Sequence, residues 1–361
     1  MSPRRPSHQL YVQCLPGLEH LLEAELRSLG PRTGRRFRGG IEVEGTTRQL
    51  YLVNQASRLA TRVLLRVARF DADSFSALER GVSRVDWSPW IGDQRVVVRA
   101  AASSSELFHT DAIAERVTAA IGGGGRRPGQ RVHVRVHNDR VTLSIDASGD
   151  ALHHRGWRDD TAKAPLRATL AAALLEVGGY QGQGPLVDPF CGAGTIAIEG
   201  ARLARDLPPG VDRRFAFHQW PSFEPGTWAS VAADQSQPAR FPVIATDRDA
   251  GAVRSTEANA TRAGVTIETA VQSISELEAP APGPGWLVTN PPYGKRVAAD
   301  ELRNLYARFG QVVRARMPGW RVVVLTNDVV AAGHADLPFE SRLACSNGGI
   351  DVQALVAVVP G

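Results

Sequence analysis

Apolar positions along the chain switch repeatedly between a helical and a strand period. Residues 10–14 form a short apolar strand. Between Pro16 and Gly30, Leu18, Leu21, Leu22, Leu26 and Leu29 recur at the 3.6-residue period, with Glu25 at the edge of the stripe and Gly30 as a C-terminal stop. A strand at 41–44, a helix at about 47–60 and a strand at 62–70 complete a small α+β unit. Residues 71–150 predict a second one. It has a helix at 74–85, a strand at 95–101, a helix at 111–121, and strands at 131–137 and 140–145 around Asn138-Asp139, a dipeptide suited to a tight hairpin. Val132, Val134 and Val136 alternate with His133, Arg135 and His137, so one face of that strand is core and the other basic.

Beyond residue 164 the rhythm becomes regular. A helix begins at Pro165 and presents Leu166, Leu170, Ala173, Leu174 and Val177 on one face. A strand at Leu186-Val187 and a helix at 195–205 follow. A long insertion, 206–241, holds Phe215, Phe217, Trp220, Phe223 and Trp228, and loops of this length usually have a job. The alternation then resumes: strand 242–246, helix 249–264, strands 266–271 and 285–289, helix 300–317 and strand 320–325. Strands 339–345 and 351–359 close the chain as an antiparallel pair. Such alternation predicts a mostly parallel sheet with helices on both faces, an α/β fold.

Composition narrows the partners. The 361 residues are 43% hydrophobic and 22% charged, an ordinary globular balance. No run of 18 apolar residues exists, and the polar N-terminus lacks a signal-peptide core, so a cytoplasmic protein without a membrane partner is expected. Cys14, Cys191 and Cys345 are far apart, which predicts free thiols and no structural metal; His133 and His137 read as sheet-surface residues rather than ligands. The net charge of +5 is uneven, about +6 over the first 160 residues and −1 over the rest. Arg32, Arg35, Arg36 and Arg38 crowd a loop beside Gly39-Gly40, and Arg126 and Arg127 sit in a glycine-rich tip over 124–129. A basic front module beside a near-neutral back module points to a polyanion.

The candidate chemistry lies at the strand ends, where open α/β sheets bind ligands. Asp188-Pro-Phe-Cys-Gly-Ala-Gly-Thr195 ends a strand in a glycine turn and opens a helix, the shape of a nucleotide-type cofactor loop. Asp247 ends the next strand, where a carboxylate suits two ribose hydroxyls. The competing reading is that Asp188 and Asp247 cap the following helices. The turn lacks the third glycine of a dinucleotide fingerprint, and Asp247 is too distant for one, which disfavours NAD. Asn290-Pro-Pro-Tyr293 ends a later strand. The Asn oxygen and a proline-flanked carbonyl can accept from one exocyclic amine while Tyr293 stacks its base. An amine so held is nucleophilic, and a methyl sulfonium is the matching electrophile. Cys191 lies inside the cofactor turn and reads as a packing residue rather than a nucleophile.

With these motifs in place, the chain resembles the THUMP-domain RNA guanine-N2 methyltransferases, most closely the bacterial 23S rRNA enzymes. The likeness runs through Leu152-His-His-Arg-Gly-Trp-Arg158, Ala164-Pro-Leu-Arg-Ala-Thr-Leu-Ala171, Asp188–Glu199, Phe215-Ala-Phe with Trp220, and Asn290-Pro-Pro-Tyr-Gly-Lys-Arg296, in order. It implies a ferredoxin-like unit over 1–70, a THUMP RNA-binding domain over 71–155, and a class I methyltransferase domain over 156–361 with a Rossmann-like, mostly parallel seven-stranded sheet. It implies S-adenosyl-L-methionine held by Asp188, Gly192, Gly194 and Asp247, with Phe190, Cys191, Ser273 and Asn290 beside them. It also implies target-base contacts at Asn290, Pro291 and Tyr293. Structured RNA is then the partner of a monomer, and Arg35, Arg36, Arg38, Arg126, Arg127, Arg135, Arg155 and Arg158 are the expected RNA contacts. Two departures stand out. Ser273 occupies the place of a usual acidic adenine contact, and Ala168 that of a usual glutamate. The rival readings are the same chemistry on tRNA, an adenine-N6 DNA methyltransferase, and an RNA-binding or assembly protein with a degenerate cofactor site.

Overall fold

The computed structural model describes residues 7–122, 125, 127–158, 166–233, 236–281, 283–292 and 299–361. In chain order the elements begin β1 (His8–Gln13), α1 (Glu19–Leu29), β2 (Arg32–Phe37), β3 (Gly40–Gly45), α2 (Thr47–Ala56), β4 (Arg62–Asp71) and α3 (Phe75–Ser83). Then come β5 (Gln94–Ser103), α4 (Thr110–Ile121), β6 (Arg127–His137), β7 (Arg140–Asp146), α5 (Ala168–Val177), β8 (Leu186–Asp188) and α6 (Thr195–Ala204). A 3-10 turn at Ala216–Gln219 precedes α7 (Pro225–Ala232), β9 (Val243–Asp247), α8 (Ala250–Arg262) and β10 (Glu268–Val271). A second 3-10 turn, Ile274–Glu276, leads to β11 (Trp286–Thr289), α9 (Ala299–Arg316), β12 (Arg321–Thr326), α10 (Val329–Gly333), β13 (Glu340–Asn347) and β14 (Ile350–Val358). The chain divides into two compact units: Met1–Cys14, Leu22–Leu152 and Arg213–Ala233, and Leu15–Leu21, His153–Asp212 and Asp234–Gly361.

The first unit is built on one seven-stranded sheet, β2-β3-β1-β4-β7-β6-β5. The two small modules expected from the sequence therefore share a sheet: β4 pairs antiparallel with β1 on one side and with β7 on the other. Leu10, Val12, Val43, Val63, Leu65, Val134 and Val136 line its buried face. Asn138 and Asp139 both take positive φ, 49° and 56°, as a two-residue hairpin with the strand twist requires. The arginine-rich stretch after Gly30 is a strand, β2, rather than a loop. It is the sheet edge, and charged side chains are how edges avoid pairing with other chains, so apolar alternation is absent there. Glu25 breaks the leucine stripe of α1 for a reason. Its carboxylate accepts from Ser57 Oγ at 2.5 Å and from the N–H groups of Arg58 at 2.6 Å and Leu59 at 3.4 Å, stitching α1 to the end of α2.

Part of the aromatic insertion belongs to this unit. Phe217 stacks on Tyr51 of α2 with centroids 4.3 Å apart, and Trp228 meets the same ring edge-on at 6.1 Å. Trp220 Nε1 donates to Gln130 Oε1 at 2.9 Å, and Gln94 Nε2 donates to the Gln219 carbonyl at 2.7 Å. Residues 213–233 thus pack on both halves of the shared sheet.

The second unit holds a sheet of order β10-β9-β8-β11-β12-β14-β13. The strands from β10 to β12 run parallel, and β14 is antiparallel to both of its neighbours. Tyr306, Phe309, Val312, Val313 and Met317 pack against Val187, Leu287, Val322 and Val324, so they form the core face of α9. Helix α5 is buried from Ala168 through Leu175 on all sides, more than the single face expected, as suits a helix apolar all round.

Candidate active site

The strand order decides where the site forms. β8 lies between β9 and β11, and the connections leave it in opposite directions, which opens a crevice at the carboxyl ends of these strands. Asp188 ends β8, Asp247 ends β9 and Asn290 follows β11.

Asp188 is 1% exposed. Its Oδ1 accepts from Thr289 Oγ1 at 2.7 Å, across the neighbouring strand, and from the Phe190 N–H at 3.3 Å. Burial pushes its carboxyl up to about 7, and the nearby negative Asp247 adds to the push against the pull of those two bonds. The glycine turn follows. Gly192 and Gly194 take φ of 55° and 78°, the left-handed region that favours glycine. A Cβ on Gly194 would lie 2.7 Å from the Thr256 methyl, whereas one on Gly192 would meet nothing within 4 Å. Gly194 is thus packed, and Gly192 faces open room.

Helix α8 holds the turn from behind. Thr256 Oγ1 donates to the Gly192 carbonyl at 3.0 Å, and Asn259 Nδ2 donates to the Ala193 carbonyl at 2.9 Å. These two buried polar residues, spaced i, i+3, were missed from the sequence as site residues, as was Thr289. The signal was there: a polar pair on the buried side of an amphipathic helix needs partners. Asp247 Oδ2 accepts from the Gly192 N–H at 3.1 Å and Oδ1 from the Asp249 N–H at 3.0 Å, which leaves about half of its lone-pair positions for a ligand. The capping alternative fails. The N-cap of α6 is Gly194, and that of α8 is Asp249, which accepts from the Gly251 N–H at 2.7 Å.

Phe190 packs on Phe309 with centroids 6.4 Å apart. Cys191 is buried, its thiol pushed up to about 12 by that burial and by Asp188, so it is no nucleophile at neutral pH. Ser273 is exposed and heads the 3-10 turn, its Oγ accepting from the Ser275 N–H at 3.3 Å while its own N–H donates to Glu276 Oε2 at 2.9 Å. Ala168 is buried at the start of α5. Asn290 is half-buried, and its Oδ1 is shielded from solvent with no hydrogen-bond partner among the described residues. Pro291 is buried beside it. Tyr293 lies outside the described residues.

The expected RNA contacts separate. Arg35 and Arg135 are exposed on the face of the first sheet away from its core; Arg38 is exposed in the turn after β2. Arg36 points the other way and pairs with Glu23 of α1 at 3.4 Å. One arginine requires correction, and another is placed more closely. Arg155 is 2% exposed and its Nε donates to Glu199 Oε1 of α6 at 3.2 Å, so it is a buried structural cation. Arg158 donates to Thr195 Oγ1, in the first turn of α6, and stands over the Trp157 ring at 5.3 Å, which puts it beside the glycine turn. Arg126 lies outside the described residues; Arg127 starts β6, and its side chain is not among those described.

Comparison with known proteins identifies the arrangement. The model of the RMKL-like methyltransferase domain matches residues 155–341, more than half of the chain. The chain belongs to the RMKL-like methyltransferase family. The RlmL ferredoxin-like domain matches 9–64 and the THUMP domain 72–146, so this is a THUMP-containing methyltransferase of the RlmL type. Its cofactor is S-adenosylmethionine, and the residues fit that molecule: open room above Gly192, two carboxylates at the strand ends, and Arg158 at the helix start. A possible methylase from Clostridium difficile 630 is 28% identical, with a TM-score of 0.89 over 99% of this chain and 99% of that one. A predicted N6-adenine-specific DNA methylase from Listeria monocytogenes is 27% identical, covering 97% and 96% with a TM-score of 0.86. TrmN from Thermus thermophilus, at 24% identity, 98% and 100% coverage and a TM-score of 0.73, shares the fold.

Proposed function

We propose that this RMKL-like methyltransferase moves a methyl group to the exocyclic N2 of a guanine in structured RNA, with 23S rRNA as the substrate. The observation that carries the reading is the shielded Oδ1 of Asn290, just past the end of β11, which has no hydrogen-bond partner among the described residues. Leaving a buried acceptor unmet costs about 1–3 kcal/mol, so a ligand donor is its natural partner. An exocyclic amine offers two N–H groups, one to Asn290 Oδ1 and one to the Pro291 carbonyl. Accepting both draws the nitrogen lone pair out of conjugation and aims it toward the glycine turn. When bound, S-adenosylmethionine supplies an electrophilic methyl carbon on a positive sulfur. Asp247 would accept from the ribose hydroxyls. Asp188 and Arg158 would face the ammonium and carboxylate of the amino-acid end, charges opposite to their own. The methylated amine then loses its proton to water. The target base has to leave its stack to reach this crevice.

The THUMP and ferredoxin-like matches favour RNA over DNA as the substrate. The test is mass spectrometry of rRNA and tRNA after incubation with labelled cofactor. Label in N2-methylguanosine from 23S rRNA is the expected result. Label in tRNA alone would move the substrate, and label in N6-methyladenosine would replace the target atom. Asn290→Ala should abolish turnover and leave cofactor affinity within about twofold by calorimetry. Retained turnover would sink the role given to Asn290.

A further inference from the structure

In the first unit, the sheet face opposite the core is a single basic surface that runs across both matched modules. Strand register places its residues. Tyr11 sits opposite Glu42 and Leu64, while Arg135 is level with Thr142 and His137 with Arg140. A shallow depression of about 230 Å³ opens there, with Arg35 and Phe37 of β2 at one end and Arg135 of β6 at the other. Arg66 and Arg69 of β4 and Arg140 of β7 line the space between. Adjacent strands lie about 4.8 Å apart, so the row from β2 to β6 extends roughly 24 Å, enough for several successive phosphates.

Positive charge is in excess in this depression. Five arginines line the depression with one carboxylate, Glu42, which Arg66 and Arg69 share. Arg140 pairs with Asp71 at 3.1 Å at the rim. Neighbouring side chains also hold the guanidinium groups in place. Arg35 stands 4.9 Å over the Phe37 ring, Phe37 meets Tyr11 edge-on at 6.2 Å, and Arg66 stands 5.0 Å over Tyr11. Stacked, pre-positioned guanidinium forks match phosphate oxygens and lose little entropy on binding.

We infer that this open sheet face is the track on which the phosphodiester backbone of the substrate RNA lies, with ferredoxin-like and THUMP residues contributing to one grip. The inference rests on the RNA reading above and deepens it. It removes Arg36 and Arg155 from the expected contacts and adds Arg66, Arg69 and Arg140. On the helix-bearing side, Arg27 and Arg36 both engage Glu23, and Arg116 engages Glu79 at 2.8 Å.

The test uses the full chain and a fluorescein-labelled 23S rRNA stem–loop, read by anisotropy over a salt series. The triple variant Arg35→Ala, Arg135→Ala, Arg140→Ala should bind at least tenfold more weakly, and its log-affinity against log-salt slope should flatten by roughly 0.7–0.9 per lost contact. A charge-matched triple on the helix side, Arg27→Ala, Arg36→Ala, Arg116→Ala, should stay within twofold of the parent. Equal losses in both triples would overturn the assignment of the face. A parent chain that binds cofactor but no RNA would instead overturn the substrate reading. Replacing the same three open-face arginines by lysine should keep the salt slope, which separates lost charge from lost folding.

Discussion

Single side chains here do two things at once. Asp188 closes β8 by accepting from Thr289 on β11, and it also places a carboxyl at the crevice. Raised from 3.8 to about 7, it keeps its proton in the folded chain over a range where the unfolded chain has lost it. The folded state thus binds more protons between those values. Asp188's contribution to stability is full below about pH 4 and falls as pH climbs to about 7. A positively charged ligand group reverses the preference and favours the ionised form. Cofactor affinity should therefore strengthen between pH 6 and 8, with proton release at pH 6.5. Calorimetry in two buffers of different ionisation enthalpy checks this, and Asp188→Asn should remove the pH dependence. Arg158 makes the complementary case. In sequence it is one more arginine of a basic half, yet its bond to Thr195 gives it a different neighbourhood.

Among the elements, the turn between β8 and α6 shows two glycines needed for different reasons. Gly192→Ala meets no atom within 4 Å, so it adds only the strain of a left-handed residue, about 1–2 kcal/mol. Its methyl would occupy the room above the turn, so cofactor affinity should fall while the melting temperature drops by only a few degrees. Gly194→Ala carries the same strain and drives a methyl into Thr256, so it should cost about 2–4 kcal/mol. Thermal melting and calorimetry on the pair check the distinction; equal destabilisation would contradict it. The glycines were legible in the sequence because only their backbone freedom fits a strand that turns at once into a helix. The grip of Thr256 and Asn259 was not, since α8 reaches the turn only once β9 lies beside β8. β2 was misread as a loop for the same kind of reason: an edge strand owes its shape to its partner, β3, and not to its own alternation.

Across the whole molecule, the chain returns to its first unit late. Phe217 is fully buried against Tyr51 although it lies far downstream in the sequence. Phe217→Ala should destabilise the first unit by about 3–5 kcal/mol, measured by urea denaturation, with loss of amide protection along α2. Unchanged protection there would mean that the insertion contributes little. Among the described residues, no helix is long and apolar enough to cross a membrane.

Local rules can be read along the chain alone: which stretches repeat at 3.6 or 2 residues, where glycine and proline force turns, and which polar residues end strands. That was enough for the α/β alternation and for the glycine turn between β8 and α6. Tertiary structure decided what stands beside what. It joined two small modules into one sheet through β4, took Arg155 into the interior and gave Arg158 to the glycine turn. It also gathered arginines from four strands onto one open face. Local periodicity says which face of a strand is polar. Only long-range pairing says which polar faces are continuous, because register and strand order depend on partners far away in the chain.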